Sequence, residues 1–155
     1  MKMLKENDDL AEKDVNNTSI ETEYMLFTDG GSRGNPGPSA TAFVVFDMTD
    51  KIIKKDGTYI GDSTNNQAEY QAVKQGLSYL NQIGARVVHV YMDSLLVVNQ
   101  MKGTYKIKNP DLFKVKKEVD KLIEGLESVD FVHIPREMNR IADEKVNNVL
   151  DSNGQ

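Results

Sequence analysis

The sequence contains no cysteine and only two histidines among its 155 residues. The absence of cysteine excludes disulfide bonds, thiolate zinc sites and a cysteine nucleophile. With two histidines, a metal centre built from imidazole groups is not expected either. Any metal site would therefore use oxygen ligands, which favour Mg²⁺ or Mn²⁺ among the common divalent cations.

Long hydrophobic runs are also missing, because the longest apolar stretches have the length of strands and the first 20 residues are polar. Neither a signal peptide nor a membrane span is predicted from such a pattern. We therefore expect a cytoplasmic protein. A chain of 155 residues is expected to form one domain with a substantial core.

The formal charge of −5 is distributed unevenly along the chain. Residues 1–23 carry three lysines and seven acidic residues, a net charge of −4, with few apolar residues and no periodicity. We expect a disordered acidic tail at 1–23 and one folded domain at 24–151. Lysines cluster at 102–121, and a local basic patch matters more for phosphate binding than the total charge does. The overall charge therefore neither supports nor excludes a nucleic-acid partner.

Apolar periodicity predicts the element order βββαβααβα. The predicted strands are 24–29, 39–47, 51–59, 86–92 and 129–134, and the predicted helices begin near Thr64, at Ser94, at Asn109 and at Asn139. The glycine-rich segment 30–38 is predicted to be a loop. An antiparallel hairpin joined to parallel crossovers gives an α/β fold, a five-stranded mixed sheet with helices on both faces.

Four carboxylates occupy positions where an acid is expected to be buried. Asp29 and Asp93 each follow an apolar strand, whereas Glu69 and Asp143 lie on the inward faces of predicted helices. Buried carboxylates persist only when they are paired or bound to cations. The carboxyl ends of parallel strands meet at one edge of a sheet, so the four acids are expected to share a metal site.

Two interpretations of these acids compete. Each acid alone has a structural explanation, since Asp93 can cap the following helix and Glu69 can interact with a helix dipole. Taken together, four neighbouring acids would repel one another strongly. Two divalent cations roughly 4 Å apart would neutralise them and support in-line phosphoryl chemistry. We favour this second interpretation for the set.

The glycine-rich segment and the amides after Thr64 each allow two functions. The segment at 30–38 contains neither GxGxxG nor a P-loop signature, so it is either a turn or a place where a sugar–phosphate backbone approaches closely. Asn65 and Asn66 either belong to a helix start or contact 2′-hydroxyl groups.

Four segments together resemble type 1 ribonuclease H, in the short prokaryotic form without a basic protrusion. They are FTDGGSRGNPG at 27–37, TNNQAEYQAV at 64–73, VYMDSLLVVNQ at 90–100 and PREMNRIADE at 135–144. The resemblance covers about residues 24–150. It implies an endonuclease that hydrolyses the RNA strand of RNA/DNA hybrids with two Mg²⁺ or Mn²⁺ ions, leaving 5′-phosphate and 3′-hydroxyl ends.

The resemblance also implies roles for individual residues. The catalytic and metal-binding acids would be Asp29, Glu69, Asp93 and Asp143, the same four that their positions single out. The RNA strand would contact Asn35, Asn65, Asn66 and backbone groups of Gly30 and Ser32, and Thr64 would help to hold a DNA phosphate. The implied partner is an RNA/DNA hybrid. From the sequence itself, which has no membrane span and no long exposed apolar patch, we expect a monomer without a membrane partner.

The chain departs from the family pattern at several positions. Leu95 replaces a glutamine that many members use for RNA, and Asp62 replaces an arginine near the DNA phosphate. Only a short loop with Lys102, Lys106 and Lys108 replaces the basic protrusion.

The loop before the last helix also lacks the histidine that many members carry there. Arg136 and Glu137 are the candidates for its role, and His133 lies in a predicted strand instead. These departures leave two alternatives open: a nucleic-acid-binding protein with weak or no catalysis, and a nuclease that prefers double-stranded RNA.

Overall fold

A computed structural model describes residues 22–155 of the chain. Residues 1–21, which make up nearly all of the predicted tail, lie outside the described residues, so its disorder stays a prediction. In chain order the elements are β1 (Glu23–Ser32), β2 (Gly37–Asp47), β3 (Ile52–Ser63), α1 (Asn65–Gln82), β4 (Val87–Met92), α2 (Leu95–Lys102), α3 (Pro110–Ile123), β5 (Ser128–His133) and α4 (Arg140–Ser152). A short 3₁₀-helix, Arg136–Asn139, precedes α4.

The five strands form one mixed sheet in the order β3-β2-β1-β4-β5. β2 pairs antiparallel with both β1 and β3, whereas β4 pairs parallel with both β1 and β5. This arrangement confirms the predicted mixed sheet and places β1 at its centre. The central strand and its parallel neighbour β4 therefore end at the same edge of the sheet.

Both faces of the sheet are covered, as the alternation of side chains in β2 shows most clearly. Phe43 and Val45 belong to a core cluster that also includes buried residues of α1, α2 and α3. Ala42 and Val44 point to the opposite face and pack with Val146 of α4. Successive side chains of a strand point to opposite faces, so this one strand contributes to two cores.

Local capping signals fix the starts of three helices. The Thr64 hydroxyl accepts a hydrogen bond from the Gln67 backbone nitrogen at the start of α1. Ser94 caps α2, and Asn109 caps α3 with Pro110 in the first turn. Because the cap of α2 is Ser94, the structural explanation that assigned this role to Asp93 is wrong.

The predicted loop at 30–38 is much shorter than expected. β1 continues to Ser32 and β2 begins at Gly37, so only residues 33–36 connect the two strands. Gly30 pairs with Thr41 of β2 and so belongs to the strand. It has to be a glycine because α1 crosses it closely: a Cβ atom at this position would lie 2.2 Å from the Ala68 carbonyl carbon. Gly30 therefore permits close packing of a helix on the strand. The sequence predicted a turn here because several other glycines and two prolines closely follow Gly30.

The last helix has its N-cap at Asn139, the predicted start, but a 3₁₀-helix that was not predicted precedes it. The 3₁₀-helix Arg136–Asn139 comes first, and α4 starts at Arg140. Asn139 has φ −112° and ψ 25°, which are not α-helical values, so the chain changes direction at this residue. Within the described part of the chain, no helix combines the length and the apolar character that crossing a membrane requires.

We predict that Gly30→Ala destabilises the protein by about 1–3 kcal/mol or more, because the new methyl group meets helix backbone that has no room to move. Gly31→Ala is the matched control, since its Cβ would meet only Val146 Cγ1 at 3.4 Å. Urea unfolding of both variants and the wild type measures the effect. Equal free energies of unfolding for the two variants would contradict the close helix–strand contact.

Candidate active site

The fold brings the four predicted acids to one edge of the sheet. Asp29 lies in β1 near its carboxyl end, and Asp93 directly follows β4. Glu69 projects from α1, which packs over β1, and Asp143 projects from the first turn of α4 on the other face. One strand, the residue that follows a second strand, and two helices thus each contribute one carboxylate.

Three of these acids form a tight group. One carboxylate oxygen from each of Asp29, Glu69 and Asp93 lies within 4.8 Å of the others. Asp29 is 7 % exposed and Glu69 is 8 % exposed, while Asp93 is half-buried. Asp143 stands outside this group of three, but its carboxyl makes a side-chain hydrogen bond with that of Asp29.

The electrostatics of Asp29 reflect this crowding. Burial, followed by the negative charges of Asp93 and Asp143, raises the pKa of Asp29 to about 8. The protonated Asp29 carboxyl donates its hydrogen bond to Asp143, which favours the neutral form further. The Gly30 backbone N–H, which favours the ionised form, offsets only part of this effect.

Glu69 is affected in the same direction. Burial raises its pKa well above the usual value, and the charges of Asp29 and Asp93 add to the shift. The Gly30 backbone N–H and the positive charge of Arg136 act in the opposite direction. Two buried acids with raised pKa values are typical of functional sites, and a divalent cation bound between them would favour their ionised forms.

The acids lie in an open cleft of about 490 Å³. Its other walls come from β1, the start of α1, the turn before α4, and α4 itself. They include Gly30, Ser32, Arg33, Asn65, Asn66, Ser94, Arg136 and Asn147. The cleft is therefore lined mostly by polar groups, which include the carboxylates, three asparagines and an arginine of the turn before α4.

Four of the six predicted substrate contacts line this cleft, namely Gly30, Ser32, Asn65 and Asn66. Asn35 and Thr64 are not part of its lining. Asn35 instead holds a residue of the lining in place, because its side-chain oxygen accepts a hydrogen bond from the Asn65 backbone nitrogen at 3.1 Å. The Asn65 side-chain oxygen in turn accepts from the Ser32 backbone nitrogen at 2.7 Å.

The structure distinguishes the two candidates in the turn before α4. Arg136 lines the cleft, whereas Glu137 lines a separate hollow beside Phe27 and Phe46. His133 lies in a strand as predicted, at the end of β5, and is exposed. Leu95 is 52 % exposed at the start of α2 and offers no hydrogen bond there.

Sequence reasoning missed Asn139 and Arg33. Asn139 is buried and its side-chain nitrogen donates to an Asp93 oxygen, although nothing in its neighbourhood marks it beyond its position four residues before Asp143. Arg33 forms an ion pair with Asp151 and a hydrogen bond with Asn147 on α4. Both partners are more than 100 residues away in the chain, which explains why no local pattern indicated them.

The chain resembles ribonucleases H in three comparisons. A family model described as reverse transcriptase-like matches residues 27–149. Ribonuclease HI of Halobacterium salinarum is 36 % identical over 125 residues, which is 81 % of this chain and 63 % of that protein. A bifunctional protein of Mycobacterium tuberculosis is 38 % identical over 134 residues, 86 % of this chain but only 37 % of its own length.

Solved structures agree with these relatives. The crystal structure of RNase H1 from Halobacterium salinarum superposes with a TM-score of 0.81 at 35 % identity, covering 84 % of this chain and 98 % of that one. The structure of LC11-RNase H1, isolated from compost, in complex with an RNA/DNA hybrid has a TM-score of 0.81 at 39 % identity and covers 85 % and 99 % of the two chains.

We predict that Asp29→Asn stabilises the metal-free protein at pH 8 and has little effect at pH 4. The Asp29 carboxyl titrates near 3.8 in the unfolded chain and near 8 in the folded protein. Between these values the unfolded chain binds fewer protons, so the free energy of unfolding falls as the pH rises. Asparagine does not titrate, so the variant does not lose this free energy of unfolding as the pH rises. Each kcal/mol of difference in the free energy of unfolding would raise Tm by about 2–4 °C.

Urea unfolding in EDTA at pH 4, 6 and 8 measures the difference between variant and wild type. Glu144→Gln, which removes an exposed charge beside Asp143, is the control and is expected to change little at any pH. A stability difference for Asp29→Asn that stays constant from pH 4 to pH 8 would mean that Asp29 has an ordinary pKa.

Proposed function

The chain belongs to the type 1 ribonuclease H family, and on that premise we propose that it hydrolyses the RNA strand of RNA/DNA hybrids. The observation that carries the proposal is the group formed by Asp29, Glu69 and Asp93, whose oxygens lie within 4.8 Å at an open cleft. Asp143, hydrogen-bonded to Asp29, completes the set. The chain spans only 37 % and 63 % of the lengths of its mycobacterial and halobacterial relatives. The activity is therefore proposed from the residues of this chain and is not transferred from those longer proteins.

The residues fit a site for Mg²⁺ or Mn²⁺. Every side chain in the group offers a hard oxygen ligand, and two of these acids are buried with raised pKa values. We propose that the four acids hold two ions per site. Bound cations would make a water molecule a better nucleophile and stabilise the oxygen that leaves, giving 5′-phosphate and 3′-hydroxyl ends.

The polar wall of the cleft suits recognition of the RNA strand. Asn66, Gly30 and Ser32 line the same cleft as the acids. The Asn65 side-chain oxygen is used to hold Ser32, which leaves its Nδ2 group for a ligand. Amide groups donate to and accept from 2′-hydroxyls, the group that distinguishes RNA from DNA. Asn35 contributes by positioning Asn65, and Thr64 by capping α1.

Arg136 is the residue that we propose for the role of the missing loop histidine. It lines the cleft, and its charge lowers the pKa of Glu69, whereas Glu137 lies in a different hollow. A guanidinium group donates two parallel hydrogen bonds to a phosphate and stays protonated at all relevant pH values. We therefore propose that Arg136 binds a substrate or product phosphate and does not transfer protons.

Exposed Leu95 favours a second candidate function, a protein that binds hybrids but cuts them slowly or not at all. It replaces a polar side chain at the start of α2, directly after Asp93 and Ser94, and removes one contact for the RNA strand. The retained group of acids argues against this alternative. Buried carboxylates that repel one another cost folding stability, and a protein that does not bind catalytic metal ions has no use for them.

We predict Mg²⁺- or Mn²⁺-dependent cleavage of a labelled RNA/DNA hybrid by the purified chain, and loss of cleavage in Asp29→Asn. Double-stranded RNA and double-stranded DNA, each with and without either metal, are the substrate controls, and gel electrophoresis identifies products and ends. Tight hybrid binding without cutting in either metal would support the second candidate. Dominant cleavage of double-stranded RNA would also overturn the proposed specificity.

We predict that Arg136→Ala lowers kcat about 10²-fold, as loss of a group that stabilises phosphate charge does in other sites. Glu137→Gln is the matched control, because it changes the neighbouring residue of the same turn outside the cleft. Steady-state kinetics on the hybrid measure both variants. A larger loss for Glu137→Gln than for Arg136→Ala would reverse the assignment.

A further inference from the structure

Asn139 makes two buried hydrogen bonds beside the acid group. It is the last residue of the 3₁₀-helix Arg136–Asn139 and is only 1 % exposed. Its Nδ2 group donates to the Thr28 carbonyl oxygen at 2.9 Å and to Asp93 Oδ2 at 3.0 Å. A side-chain amide nitrogen carries two hydrogens, so both bonds form at once.

The orientation of this amide follows from its partners. A carbonyl and a carboxylate accept hydrogen bonds and donate none, so the nitrogen of Asn139 must face them. Its Oδ1 atom is then buried without a partner among the described residues. A buried unpaired oxygen costs stability, and a position that tolerates this cost calls for an explanation beyond packing.

The two bonds connect the segments that carry the acids. Thr28 directly precedes Asp29 in β1, and Asp93 follows β4. Asn139 itself lies one helical turn before Asp143. One amide thereby joins three of the four acid-bearing segments. It also anchors the end of the short helix on which Arg136 lies.

We propose that Asn139 is a positioning residue, which fixes the Asp93 carboxylate in the orientation that binds a divalent cation. Holding Oδ2 stops the carboxylate from rotating about its Cβ–Cγ bond, and the bond to Thr28 keeps the turn before α4 in register with Asp29. Groups that hydrogen-bond to metal ligands commonly control metal affinity in this way. The inference rests on the proposed metal-dependent function.

Calorimetric titration of the metal-free protein with Mn²⁺ tests the proposal without relying on turnover. Asn139→Ala is expected to bind Mn²⁺ about 10- to 100-fold more weakly than the wild type. Asn139→Leu, which keeps the branched shape and the number of heavy atoms but cannot donate a hydrogen bond, is expected to show the same loss. Asn81→Ala is the matched control, because the Asn81 amide joins α1 to α3 through the Leu122 carbonyl at 3.0 Å, and neither residue lines the cleft.

The control is expected to lose stability while keeping wild-type Mn²⁺ affinity. Hybrid cleavage by the Asn139 variants is expected to show a lower kcat with a nearly unchanged KM, because the RNA contacts remain. Wild-type affinity for Mn²⁺ in both Asn139 variants would overturn the inference. Absence of Mn²⁺ binding by the wild type would instead overturn the proposed function.

If neither Asn139 variant folds, NMR of the wild type keeps the proposal testable. The side-chain NH₂ resonances of Asn139 are expected to shift when Mg²⁺ is added, because the accepting carboxylate changes its charge environment. Those of Asn81 are expected to stay in place. Equal responses of the two amides to Mg²⁺ would overturn the positioning role.

Discussion

The mutual repulsion of carboxylates at the end of the central strands is the interaction on which the rest of the structure depends. Asp29 and Glu69 are buried, and the charges of neighbouring carboxylates add to the effect of burial in raising the pKa of both, while Arg136 offsets only part of the effect on Glu69. A fold that holds acids in this way gives up stability at neutral pH. Divalent cations would neutralise the carboxylates and remove their repulsion, so the same crowding favours binding of the cations.

The surrounding packing keeps the acids from moving apart. α1 approaches β1 closely because Gly30 has no side chain, and this contact holds Glu69 beside Asp29. On the opposite face, α4 packs on β2 and carries Asp143 to the same edge. Asn139 joins the turn before α4 to both central strands. Rigid elements, rather than loops, thus position the group, which favours a well-defined site.

Much of the fold was predictable because its signals are local. Apolar runs and periodicity indicated the order of strands and helices along the chain, and hydroxyl or amide caps marked the starts of α1, α2 and α3. The extension of β1 to Ser32 was not predictable, since glycine indicates a turn unless a distant helix requires it. Asn139 was missed for a similar reason: its acceptors lie 111 and 46 residues away in the chain. Arg136 and Glu137 are adjacent, so only the direction of the 3₁₀-helix separates their roles.

A crystal structure of the protein soaked with Mn²⁺, with anomalous diffraction recorded near the manganese edge, tests the central claim most directly. The account predicts two anomalous peaks roughly 4 Å apart, surrounded by carboxylate oxygens of Asp29, Glu69, Asp93 and Asp143. Carboxylates that point away from one another, with no anomalous peak between them at saturating Mn²⁺, would contradict it.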